Sequence, residues 1–239
     1  MRLEPRIVFS SGIIGTGKST TLKKLAADLE NSFYIDRDDI NQGNLHVSPK
    51  RSSELPDFEQ YVAKAGIFPD HAQLVETPFG SMIKVDPYNA FYQRHLRDQS
   101  YLVQMHIART NLACGKIPLI DCITMRQIQD GTLQKILDHS SLQGYPKYLI
   151  HFIANEEDCY RRNLERSLRD ENAKKRVELI KSPKRTCSPL ASPEVFHKFM
   201  TEEQPMIPEE LKNYRALILN TSGHSVEENA RRCLEYISS

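Results

Sequence analysis

Residues 6–19 read RIVFSSGIIGTGKS. The apolar run from Arg6 to Ser11 has the length and composition of a buried strand, and Leu22, Leu25, Ala26 and Leu29 recur at the spacing of one helix face over 18–30. Between these two patterns, Gly12 to Ser19 satisfies G-x-x-x-x-G-K-[ST], in the strand, loop, helix setting the motif requires. Its glycines permit backbone angles that aim successive N–H groups at phosphate oxygens, and the helix N-terminus adds partial positive charge. Gly12, Gly15, Thr16, Gly17, Lys18, Ser19 and Thr20 are therefore the expected nucleotide-binding residues. Lys18 is expected to reach the β- and γ-phosphates and Ser19 to ligate Mg²⁺ through its hydroxyl, making ATP and Mg²⁺ the expected cofactors.

Outward from this stretch, helical and strand patterns alternate, which predicts an α/β fold with a parallel sheet. SFYID at 32–36 reads as a second strand, KIPLID at 116–121 as an apolar strand ending in a carboxylate, KYLIHFI at 147–153 as another, and ALILN at 216–220 as the last. Helices are predicted over 89–113, 125–138, from Asn155-Glu156-Glu157-Asp158 onward, and after Ser192-Pro193. Ser225-x-x-Glu228 is a capping box for the final helix. Between 42 and 88 the prolines at 49, 56, 69, 78 and 87 read as loops around one short helix near 57–65, an insertion in a single domain spanning 1–239.

Composition narrows the function. With 39% hydrophobic and 26% charged residues the chain has the core formers of a globular protein, and no apolar run approaches the roughly 20 residues of a bilayer crossing. No signal peptide or membrane anchor is expected. The net charge of +1 exerts no global pull on nucleic acid or membrane. Five cysteines without a C-x-x-C pair, and eight histidines without ligand spacing, argue against a disulfide framework or structural zinc, and a cytoplasmic setting is expected. No N-K-x-D stretch supports guanine specificity, and little room remains for the second helical domain of an AAA machine.

Two carboxylate positions point to phosphoryl transfer. Twenty residues after Lys18, the second strand ends in IDRDDI, 35–40, and in a parallel sheet that end emerges at the edge carrying the phosphate loop. Asp38 there can orient an acceptor hydroxyl and take its proton, or it can merely cap a following helix. Asp121, closing its apolar strand, can hold Mg²⁺ or its waters opposite Ser19, or serve as a turn aspartate. Arg162 and Arg166 lie four apart on one helix face, with Arg169 three further on. From 161 to 185 ten basic residues face four acidic ones, a local +6, which reads either as a solvated face or as a basic lid over about 156–192 whose arginines stabilise the transferring phosphoryl group.

These residues together resemble the P-loop kinases related to phage polynucleotide kinase and the kinase group often filed under AAA domains. The resemblance rests on the phosphate loop, IDRDDI at 35–40, the G-K-x-P-L-I-D pattern at 115–121 and R-N-x-x-R at 162–166. It implies a P-loop kinase fold with a central parallel sheet, flanking helices and an arginine-rich lid. It also implies that Asp38 is the general base and that Arg162 and Arg166 belong to the lid. Asn41 stands where the polynucleotide kinases usually carry Arg, and Asp121-Cys122-Ile123-Thr124 replaces their Asp-Thr-Asn, so a nucleic-acid 5′ end is not the favoured acceptor. The I-D-x-D stretch is also similar to that of zeta-toxin kinases, which act on a UDP-sugar, and again implies Asp38.

The expected function is an ATP- and Mg²⁺-dependent kinase acting on a hydroxyl of a small molecule, a nucleotide or nucleotide-sugar among the options. A polynucleotide 5′-hydroxyl kinase and a slowly hydrolysing ATP-dependent switch with a protein partner are the alternatives.

Overall fold

The computed structural model describes residues 1–37, 40, 72–77, 80–85, 97–123, 125–169, 192–198, 200–201 and 206–239. Two compact units divide the chain, one formed by 1–35 with 111–239 and the other by 36–110.

The first unit is an α/β layer structure. Its sheet contains β1 (Ile7–Ser11), β2 (Ser32–Asp36), β5 (Ile117–Ile123), β6 (Lys147–Ile153) and β7 (Ala216–Asn220) in the order β2-β5-β1-β6-β7. β1 pairs in parallel with β5 on one side and β6 on the other, and β6 pairs in parallel with β7. Every residue of β1 is buried, as its uninterrupted apolar start foretold for a strand covered on both faces. Two helices from opposite ends of the chain close one core: Leu22, Leu25 and Leu29 from α1 (Lys18–Asp28) and its exit meet Ala230, Cys233 and Ile237 of the last helix, α7 (Val226–Ser238), over Val8, Ile117, Leu119, Ile150, Phe152 and Leu219. A smaller cluster forms where α5 (Glu156–Arg169) meets α6 (Pro193–Lys198), with Ile13 of the glycine loop packed among Ala154, Cys159, Phe196 and Met200. The loop is thus seated on apolar side chains rather than suspended from its two ends.

Sequence expectation and structure agree for these strands and for the helices at 18, 156, 193 and 226 to within two residues at each described boundary. The helix expected over 125–138 is instead two short ones, α3 (Met125–Gln129) and α4 (Thr132–Leu137). Gly131, at φ 74°, caps α4 and breaks the continuity.

The second unit contains most of α2 (Arg97–Ala113) and a hairpin of β3 (Ala72–Thr77) and β4 (Gly80–Val85), paired antiparallel from Ala72↔Val85 to Thr77↔Gly80. The sequence reading expected loops there. AQLVET and GSMIKV show no clean alternation of apolar and polar residues, and prolines at 69, 78 and 87 flank them in the sequence, which is a loop signature. The short helix expected near 57–65 lies outside the described residues. Among the described residues no helix is long and apolar enough to cross a membrane.

Candidate active site

The glycine loop leaves the carboxyl end of β1, a central strand with neighbours on both sides, which is where open α/β sheets bind ligands. Gly12, Gly15 and Gly17 all have positive φ, at 128°, 81° and 81°. Two of them also face close backbone. A Cβ on Gly12 would sit 2.3 Å from the Phe152 carbonyl oxygen, and one on Gly15 would sit 2.5 Å from that of Cys159. The loop is therefore pressed against β6 at its start and against α5 in its middle.

Side chains complete the cradle. The buried Thr16 hydroxyl donates to the Ile13 carbonyl at 2.8 Å, and the Lys18 ammonium donates to the same carbonyl at 2.8 Å. Thr221, just past β7, donates its hydroxyl to the Thr16 carbonyl at 2.9 Å while its own N–H donates to Ile153 of β6. Arg162 donates through Nη1 to the Gly15 carbonyl at 3.2 Å and to the Thr221 hydroxyl at 3.0 Å. Arg162 and Thr221 together tie the loop to the start of α5 and to the exit of β7. Thr20 is exposed on the first turn of α1.

Ser19 and Asp121, expected to share a metal, are brought together. Ser19 Oγ donates to Asp121 Oδ2 at 2.5 Å. The same carboxylate accepts from Ser10 through Oδ1 at 3.1 Å and from Tyr34 through Oδ2 at 2.9 Å. The register Ser10↔Asp121 explains the first of these, since paired residues of adjacent parallel strands project to the same face. Tyr34 is held from its other side by Lys23, whose ammonium lies 5.3 Å from the ring centroid. One carboxylate and one hydroxyl are the protein ligands Mg²⁺ typically takes beside nucleotide phosphates and water, so the donor set fits that ion. Among the described residues no group of three or more His, Cys, Asp or Glu converges for a metal.

Arg166 is exposed on α5, whereas Arg162 is half-buried by its contacts with the loop. The N-terminus of α5 is capped as its sequence predicts, Asn155 Oδ1 accepting from the Asp158 N–H at 2.7 Å. The Arg161 guanidinium, with a hydrogen bond from Ser222 assisting, holds the Asp158 carboxyl below the usual carboxylate range. Burial pushes the Cys159 thiol up to about 11, so this cysteine beneath Gly15 is no nucleophile near neutral pH. Asp38, and the basic run beyond Arg169, lie outside the described residues. In the second unit the neighbouring Arg37 donates to Tyr101 Oη at 2.6 Å, with its guanidinium 5.3 Å from the ring centroid.

Ser10, Tyr34 and Thr221 were not singled out by sequence reasoning. Ser10 and Ser11 both end the apolar first strand, and nothing local ties either hydroxyl to a carboxylate. Tyr34 within β2 and Thr221 just past β7 have no motif of their own, and only the tertiary structure brings them to Asp121 and Thr16.

No protein-family model matches the chain, and no curated protein matches it. Solved structures do. A candidate kinase from Chloroflexus aurantiacus superposes with a TM-score of 0.53 over 98% of both chains at 12% identity. The chain shares the α/β fold of that protein, a central parallel sheet flanked by helices. Weaker likenesses extend to the shikimate kinase of Acinetobacter baumannii, at TM-score 0.46 and 12% identity over 98% of this chain and 95% of that one. The APS kinase of Mycobacterium tuberculosis, solved with AMPPNP and APS, gives 0.47 at 18% identity over 99% of both.

Proposed function

We propose that this protein is an ATP-dependent phosphotransferase that moves the γ-phosphoryl group to a hydroxyl of a small molecule. The observation that carries the reading is the meeting of Ser19 and Asp121 at 2.5 Å beside a loop whose backbone is held open by three positive-φ glycines. The loop amides and Lys18 bind the β- and γ-phosphates. Ser19 and Asp121 hold Mg²⁺, which when bound supplies positive charge to the phosphate oxygens. Ser10 and Tyr34 keep the Asp121 carboxylate turned toward Ser19. Asp38, one residue beyond Arg37, accepts the acceptor's proton. Arg166 and Arg162 are assigned to the charge on the transferring group; Arg162 reaches it from the Gly15 and Thr221 contacts that already place its guanidinium at the loop. Sugar-nucleotide acceptors of the zeta-toxin type and 5′-hydroxyl ends of nucleic acid are the finer options within this chemistry.

The test is transfer of label from γ-labelled ATP to a panel of nucleosides, sugars, UDP-sugars and 5′-hydroxyl oligonucleotides. Wild type is expected to label one acceptor class. Lys18→Ala is expected to abolish transfer, and Asp38→Asn to slow it by about 10²–10⁴-fold while leaving ATP affinity near wild type. Label released only as free phosphate, equally by wild type and Asp38→Asn, would favour a nucleotide-dependent switch instead.

A further inference from the structure

His151 takes no part in the reaction just described. It lies fully buried in β6, and each ring nitrogen has a partner at 2.8 Å from a different part of the chain: Nδ1 meets Ser11 Oγ and Nε2 meets the Met206 carbonyl oxygen. A carbonyl only accepts, so Nε2 carries the proton. Nδ1 then presents a lone pair, and the Ser11 hydroxyl must be the donor. The Met206 carbonyl thereby sets the tautomer, and the tautomer sets the direction of the Ser11 hydroxyl.

Ser11 occupies a sensitive place. It ends β1 where pairing with β5 slips, Ser10 facing Asp121 but Ser11 facing Ile123, while pairing with β6 stays regular through Ser11↔His151. The next residue, Gly12, is the one pressed against the Phe152 carbonyl. Two successive residues of β6 therefore anchor the origin of the phosphate loop, His151 by a side-chain hydrogen bond and Phe152 by backbone contact. An interior strand would ordinarily place an aliphatic side chain where His151 stands. The two hydrogen bonds offset the cost of burying the polar ring, and burial disfavours its charged form, lowering its pKa.

We propose that His151 is a positioning residue for nucleotide binding: its neutral ring, fixed by the Met206 carbonyl, holds Ser11 and with it the turn at Gly12 in the geometry that receives phosphate. The inference rests on the ATP-binding reading above.

Binding of the ATP analogue AMPPNP with Mg²⁺ to the full chain, measured at equilibrium, tests it alongside the unfolding midpoint without nucleotide. Ser11→Ala and His151→Phe are expected to weaken binding about five- to tenfold, the range of one or two neutral hydrogen bonds. His151→Gln, whose amide can accept from Ser11 and donate to Met206, is expected to stay within about twofold of wild type. A purely structural role would lower the unfolding midpoint of the variants and leave their dissociation constants at the wild-type value, and that result overturns the inference. Should His151→Phe fail to fold, Ser11→Ala, which removes one hydroxyl, decides alone. Wild type failing to bind AMPPNP would overturn both the ATP-binding reading and this one; wild type binding with Ser11→Ala unchanged would overturn this one only.

Discussion

Gly12 and Gly115 both have positive φ, 128° and 74°, yet they are required for different reasons. A Cβ at Gly115 would meet nothing within 4 Å, so Gly115→Ala carries only the left-handed backbone cost of about 1–2 kcal/mol. At Gly12 the same atom would lie 2.3 Å from a backbone oxygen of β6, and the loop must move to admit it. Gly12→Ala is therefore expected to cost more than 10-fold in AMPPNP affinity, whereas Gly115→Ala loses stability in urea titration and binds as wild type. Equal binding by the two variants would separate the Gly12 contact from phosphate recognition. The glycines of the motif were legible because their spacing is local. Tyr34 and Ser10 were not, because what gives each its meaning is Asp121, 87 and 111 residues away in the chain.

Among the elements, the final helix shows how far short-range patterns reach. Of the capping box read at Ser225 and Glu228, the structure shows the N-cap half, a hydrogen bond from the Glu228 N–H to Ser225 Oγ at 3.1 Å, while the Glu228 carboxylate lies 2.9 Å from His224 Nδ1. α7 contributes Ala230, Cys233 and Ile237 to the same core that α1 lines, so fraying its first turn loosens the support of the helix that begins with Lys18. Ser225→Ala is expected to lower unfolding free energy by about 1 kcal/mol, and Ser225→Asp to keep most of it, in urea titrations followed by circular dichroism. An unchanged midpoint for Ser225→Ala would mean that water caps this end as well. The β3–β4 hairpin marks the opposite limit. Its residues lack a period-2 pattern, so the pairing from Ala72 to Val85 could not be read from the chain alone.

For the molecule as a whole, the buried His151 gives folding a pH dependence with a definite sign. Burial, with the Lys18 ammonium acting in the same direction, lowers its pKa below the ordinary 6.5, while the Met206 hydrogen bond opposes the shift. Between the folded value and 6.5 the unfolded chain binds the extra proton, so stability is full above 6.5 and declines as pH falls through that window. The difference in unfolding midpoint between wild type and His151→Gln is expected to shift against wild type as pH drops from 7 toward 5; a constant difference would show that His151 stays equally protonated in both states. The strands of the first unit, their flanking helices at 18, 156, 193 and 226, and the phosphate loop were determined by sequence, because helix periodicity, strand composition, caps and positive-φ glycines are properties of neighbouring residues. Only the tertiary structure decided which groups meet. The order β2-β5-β1-β6-β7 places Asp121 of β5 between hydroxyls of β1, α1 and β2, and His151 of β6 between Ser11 and Met206, because strand register and crossover connections join residues that no local pattern links.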